Sequence, residues 1–131
     1  MIIIVGYTPT PQGEAALDHG IAEARHHGDD LLVVNVSASS DPHDDTFATD
    51  TELVDLEHRL SAEGVGFQVR QLVRGHDAAE EILALEKDQH VRGIVIGVRR
   101  RTPVGKLLLG STSQRILLDA DSPVIAVKAE H

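Results

Sequence analysis

The stretch Gly93-Ile94-Val95-Ile96-Gly97-Val98-Arg99-Arg100-Arg101-Thr102-Pro103-Val104-Gly105-Lys106-Leu107-Leu108-Leu109-Gly110-Ser111 runs from a β-branched segment, through a basic glycine-containing one, to a helix start. An apolar run without polar alternation is what a strand covered on both faces requires. Residues 2–7, 31–36 and 123–128 read the same way as 93–97, and 67–73 is a fifth strand with clearer alternation at Phe67 and Val69. Helical stretches separate them. Thr10-Pro11 is a capping hydroxyl followed by a first-turn proline, and Gly28 is the stop signal. Thr49-Asp50-Thr51-Glu52 reads as a capping box before Leu53, Leu56 and Leu60, with Gly64 as terminator. Asp77-Ala78-Ala79-Glu80 and Ser111-Thr112-Ser113-Gln114 read as two more boxes, the last ahead of Ile116, Leu117 and Leu118. Strands alternating with helices predict an α/β domain with a parallel sheet and helices on both faces. Such sheets bind ligands beyond the carboxyl ends of their strands at the topological switch point. The ends of the first and fourth strands, at Tyr7 and Gly97, are therefore the places to look.

Composition narrows the function. The chain has 131 residues, about one domain, and nothing in it reads as a repeat or a second unit, so 1–131 is taken as a single domain. Aromatics make up 2%, so the core is aliphatic and there is no stacking platform for single-stranded nucleic acid. A formal charge of -9 excludes general nucleic-acid binding through a basic surface. The absence of cysteine removes disulfides, a thiol nucleophile and cysteinyl metal sites. No apolar run approaches the roughly 20 residues of a membrane span. Met1–Gly6 lacks the basic region and cleavage site of a signal peptide, so the expected location is cytoplasmic, without a membrane partner. His26 and His27 are adjacent on a helix and diverge by about 100°, and no HExxH spacing occurs, so no metal site is expected. The polar stretch 37–47, with Asp41, Asp44 and Asp45, reads as a solvated loop.

Against this acidic background, Arg99, Arg100, Arg101 and Lys106 place four of the chain's 12 basic residues in one short segment that leads to a helix N-terminus. Free first-turn N–H groups and the helix dipole make that an anion site, suited to a phosphate-bearing ligand. A solvated basic loop or a contact for an acidic partner fits the same residues. Gly105-Lys106 is not a P-loop, because Arg100 stands where that motif needs glycine and Leu107 where it needs Ser or Thr. No G-x-G-x-x-G follows the first strand. Gly110-Ser111 lacks the context of a nucleophile elbow, and no catalytic residue is assigned.

The whole chain resembles the universal stress protein (UspA-like) family. That family's nucleotide motif is Gly, two residues, Gly, nine residues, then Gly followed by Ser or Thr. Gly97, Gly110 and Ser111 match it, and Arg100 stands at the second glycine. Ser122-Pro123-Val124-Ile125-Ala126-Val127-Lys128 is similar to the family's last strand, and Ile3-Ile4-Val5-Gly6 with Ala15-Ala16-Leu17 to its opening. The resemblance implies a flavodoxin-like, adenine nucleotide alpha hydrolase-like fold with a five-stranded parallel sheet of order 3-2-1-4-5. It also implies an ATP-type adenine nucleotide, with Mg2+ as its accompanying ion, bound by a stress-response regulatory module with little or no catalysis. By position, Val36 meets adenine, Ile96 and Gly97 the adenosine, and Gly110, Ser111 and Thr112 the phosphates, with Tyr7, Thr8, Val98, Arg99, Arg100 and Arg101 completing the expected site.

Two departures stand out. Thr8-Pro9-Thr10 replaces the family's Asp-Gly-Ser, so a hydroxyl takes the place of a charge. If the Arg100 position requires positive φ, a side chain there costs roughly 1–2 kcal/mol. A guanidinium–phosphate fork offsets that with about 1.5–3 kcal/mol per bond. The competing reading is a non-nucleotide interaction protein of the UspA branch, with slow ATP hydrolysis as a third. A homodimer through Pro123, Val124, Ile125, Ala126 and Val127 is expected, since that strand is apolar and lies at the sheet edge in the expected order.

Overall fold

The computed structural model describes residues 1–35, 48–72, 77–100, 107–108 and 110–129, with backbone alone for 99, 100, 107 and 108. In chain order the elements are β1 (Ile2–Tyr7), α1 (Pro11–His27), β2 (Asp30–Asn35), α2 (Asp50–Glu63), β3 (Phe67–Gln71), α3 (Ala78–Asp88), β4 (Val91–Arg100), β5 (Leu107–Leu108), α4 (Ser111–Asp119) and β6 (Val124–Lys128). Five of the strands form a parallel sheet of order β3-β2-β1-β4-β6. With β6 as the fifth parallel strand, this is the expected 3-2-1-4-5. The two-residue β5 is additional and runs antiparallel to the end of β4, Leu108 opposite Arg99 and Leu107 opposite Arg100.

The sheet is buried on both faces. Ile3, Val5, Leu31, Val33 and Val95 pack with Leu17, Ile21, Leu56 and Leu60 of α1 and α2. Ile4, Leu32, Val34, Ile94 and Ile96 pack with Ile82 of α3 and Ile116 of α4. Each such aliphatic side chain, fully withdrawn from water, stabilises the fold by about 1.5–3 kcal/mol.

The helix ends follow local chemistry. The Thr10 hydroxyl accepts from Gly13 N, and the Thr49–Glu52 box is complete. Gly28 and Gly64 close α1 and α2 at φ 70° and 74°, a region that L side chains rarely enter. Asp77 caps α3 by accepting from Ala79 N and Glu80 N. The Glu80 carboxylate pairs with Arg115 at 3.1 Å.

Two expectations are corrected. The strand expected to end at Gly97 continues to Arg100, because β6 and β5 supply pairing partners for its backbone beyond the end of β1. Ser111 is not the cap of α4. Gly110 occupies the N-cap position in extended conformation with no side-chain cap bond, and Ser111 is the first helical residue. The helix thus begins one residue earlier than the Ser111–Gln114 pattern indicates.

The amino end of the sheet is pinned by buried carboxylates. One extra residue of β4, Arg92, faces the Ile2–Ile3 step of β1 and pairs with buried Asp29. Glu86 accepts from the backbone N–H groups of Asp121 and Ser122 at 3.0 and 2.8 Å. Burial by itself raises the Glu86 carboxyl, but those N–H groups and the Ser122 hydroxyl outweigh it and hold the acid below its ordinary range.

Candidate functional site

The carboxyl end of β1 meets the first turn of α1 without clearance. A Cβ added to Gly13 would lie 1.8 Å from the Thr8 carbonyl oxygen, and one added to Gly97 would lie 2.1 Å from the Gln12 carbonyl oxygen. Glycine at both positions lets α1 seat its first turn between the residues that follow β1 and the strand β4. Thr8 is half-buried there, and its hydroxyl is 2.7 Å from that of Thr10. Since Thr10 Oγ1 also accepts from Gly13 N at 3.2 Å, Thr8, Thr10 and the helix start form one hydrogen-bonded chain.

Beside β1, Gly6 stands opposite Ile96, and β4 projects beyond that row. Ile96 and Val98 are 4% and 3% exposed, so their side chains serve the core. Gly97 and Val98 pair with Val127 and Lys128 of β6. Arg99 and Arg100 have strand backbone, and no non-glycine residue among those described has positive φ. The backbone cost weighed for Arg100 is therefore not incurred here. The side chains of Arg99 and Arg100, and all of Val36 and Arg101, lie outside the described residues.

Beyond β5 the chain enters α4. Gly110 and Ser111 are exposed, Thr112 is half-buried, and Gln114 N donates to Gly110 O at 3.0 Å. The other three helices carry a side-chain cap and at least one acidic residue in their first turn, whereas α4 has neither. Its leading N–H groups keep their capacity to bind an anion, aided by the helix dipole.

The opposite side of α1 has different electrostatics. A pocket of about 460 Å3 between α1 and α2 is lined by Tyr7, Pro9, Glu14, Glu52, Asp55 and Arg59, among others. The Tyr7 hydroxyl donates to Glu14 at 2.7 Å, and Arg59 bridges Glu14, at 2.5 Å, and Asp18. Burial, then the hydrogen bond and charge of Glu14, push the Tyr7 hydroxyl above the usual phenol range. With three carboxylates on its walls and its arginine already paired, this pocket repels phosphate. An anionic ligand at this end of the sheet is directed to the α4 side.

Sequence reading did not single out Asn35, the fully buried end of β2. Its Nδ2 donates to the Tyr7 carbonyl at 3.0 Å, and its Oδ1 accepts from Ala48 N at 2.8 Å and Gln71 Nε2 at 3.0 Å. An amide closing the apolar run Leu31–Val34 was the signal available.

The family model for the universal stress protein family matches residues 1–128. A universal stress protein of Mycolicibacterium smegmatis is 47% identical over 127 residues, 97% of each chain. Among solved structures, a universal stress protein from Archaeoglobus fulgidus superposes with a TM-score of 0.68 at 28% identity, over 97% of both chains. A second one from that organism, in complex with dAMP, gives 0.63 at 23% identity over 97% of this chain and 96% of the other, a likeness that speaks for the fold. That fold is the adenine nucleotide alpha hydrolase-like one.

Proposed function

Since the chain belongs to the universal stress protein family, we propose that it is a cytoplasmic, adenine-nucleotide-binding regulatory module of the stress response, with little or no catalysis. The observation that carries this reading is the N-terminus of α4, uncapped by any side chain, free of acidic first-turn residues and open at Gly110, where an added Cβ would meet nothing within 4 Å. Phosphates fit those N–H groups and the charges of Arg99, Arg100 and Arg101, while Gly110, Ser111 and Thr112 line their path. The nucleoside lies over Thr8, Gly97 and the start of the 36–47 segment, where Val36 meets the base. The dAMP complex of the Archaeoglobus relative supports this choice of ligand class. Where the ligand is ATP, Mg2+ neutralises its phosphate charge and the protein's arginines supply the rest.

Thr8 favours a second reading, a non-nucleotide interaction protein, because its hydroxyl is already engaged by Thr10 and carries no charge for a ribose. Purified protein is denatured and the released small molecules are separated by chromatography with absorbance at the adenine band. Co-purifying adenine nucleotide, or calorimetric ATP binding after stripping, supports the first reading. Neither result leaves the second. Phosphate release with ATP and Mg2+ tests for slow hydrolysis.

The assembly belongs to the same proposal. The edge strand β6 pairs only with β4 among the described strands. Its Ile125 lines a pocket of about 390 Å3 together with Ile3, Val95 and Pro123. A second copy presenting the same strand satisfies the edge and covers that apolar surface by a two-fold contact.

A further inference from the structure

We propose that Asn35, together with Gln71, is the positioning residue of the ligand site at the carboxyl end of the sheet; this rests on the nucleotide reading above. Tyr7, Asn35 and Gln71 form one row across three strands, Tyr7 opposite Asn35 and Asn35 opposite Gln71. Among the described residues it is the last paired row of β1, β2 and β3, the one after which Thr8 leaves β1. The Asn35 side chain holds the row together. Its Nδ2 donates to Tyr7 O, its Oδ1 accepts from Ala48 N and Gln71 Nε2, and Gln71 Nε2 also donates to Ala48 O at 2.7 Å. Asn35 therefore fixes the carbonyl just before Thr8 and joins the two residues that bracket 36–47.

The chemistry requires a neutral amide. Tyr7 O needs a donor and Ala48 N an acceptor on the same fully buried side chain. A carboxylate would face Tyr7 O with a lone pair and bring an unpaired charge into the interior, and an aliphatic side chain would satisfy neither group. The Tyr7 carbonyl and Thr8 after it, held by the lock, lead directly into the proposed site. Their placement, and with it the affinity for nucleotide, depends on the lock, although neither amide need touch the ligand.

The test compares Asn35→Leu and Gln71→Met with Glu86→Gln, a control that removes a buried hydrogen-bonded carboxylate at the opposite end of the sheet. Three quantities are measured: the urea midpoint, the NMR amide resonances of Thr8 and Ala48, and the calorimetric affinity for ATP. Asn35→Leu is expected to weaken ATP at least about tenfold and Gln71→Met about threefold to tenfold, both displacing the Thr8 and Ala48 resonances. Glu86→Gln is expected to lower the urea midpoint with affinity kept within about twofold. If Asn35→Leu does not fold, Gln71→Met, at a half-exposed position, decides the matter. The proposal is overturned by folded lock variants with displaced resonances and wild-type affinity. It is equally overturned if Glu86→Gln weakens ATP as much, since affinity would then only report stability. A wild type that does not bind ATP removes the nucleotide reading itself, and with it the lock's role toward a ligand, before any variant is made.

Discussion

Gly110→Asp acts in opposite directions on folding and on binding. The Gly110 backbone, at φ -68° and ψ 166°, suits any residue, and a side chain there enters open space. Aspartate is among the preferred N-caps and can accept from the N–H groups one and two residues into α4. Replacing glycine gains a few tenths of a kcal/mol from the cap and about 0.3–1 kcal/mol from the helix dipole. For a domain of 131 residues, a gain of about 1 kcal/mol raises Tm by about 3–5 °C. A phosphate faces the reverse. The new carboxylate occupies the N–H groups, and at about 4 Å it opposes each phosphate charge by about 4 kcal/mol near a protein surface, less in salt. Half of that, about 2 kcal/mol, is already about a 30-fold loss of affinity. Thermal unfolding and ATP calorimetry at low and high salt measure both effects on one sample. A variant that melts higher yet binds ATP as the wild type does would place the phosphates elsewhere. One that melts lower would refute the cap assignment for Gly110.

Glu86→Gln should destabilise the protein by about 1–3 kcal/mol at neutral pH, because one amide N–H then faces a backbone N–H. The native Glu86 carboxyl titrates below its usual 4.5, so its contribution is complete above that pH and is lost as pH falls through the lower folded value. Urea midpoints of wild type and variant should therefore converge on acidification, and a gap that stays constant down to pH 3 refutes the assignment. Gly13→Ala forces a methyl to 1.8 Å from a backbone oxygen that no rotamer change can move; about 3 kcal/mol of lost stability is expected, and a urea midpoint equal to wild type would show that α1 can stand off. Wild-type protein should sediment at twice the chain mass and Ile125→Lys at the monomer mass, so a wild-type monomer at micromolar concentration ends the β6 dimer.

The parallel sheet was legible because Ile2–Tyr7 and its counterparts are continuous β-branched runs, and helix starts were legible where Thr10, Thr49 and Asp77 carry their own caps. Both signals are local. The extension of β4 was not legible, since Arg99 and Arg100 resemble a loop and their strand conformation depends on partners at 107–108. The start of α4 was misread by one residue because a Ser-x-x-Gln pattern says what could cap a helix, whereas the backbone decides what does. Asn35 was invisible for a further reason. Its partners include Tyr7, Ala48 and Gln71, up to 36 residues away, and nothing in β2 itself announces them. At the candidate site the sequence singles out Gly97 and Gly110 alike, but only three dimensions reveal that a Cβ at Gly97 would strike α1 and one at Gly110 would meet open space.

The zero clearance at Gly13 and Gly97 sets the start of α1 apart from the start of α4. The first turn of α1 is wedged between two backbones and has no room to shift toward either. The first turn of α4 has only open space at its cap. Of the two helix starts, that of α4 is the one with space at its cap, and Arg115, one turn in, ties that helix to Asp77 and Glu80 at the start of α3. On the proposed nucleotide reading, a shift of α4 on binding phosphate would pass through those ion pairs to α3 rather than to α1 or α2.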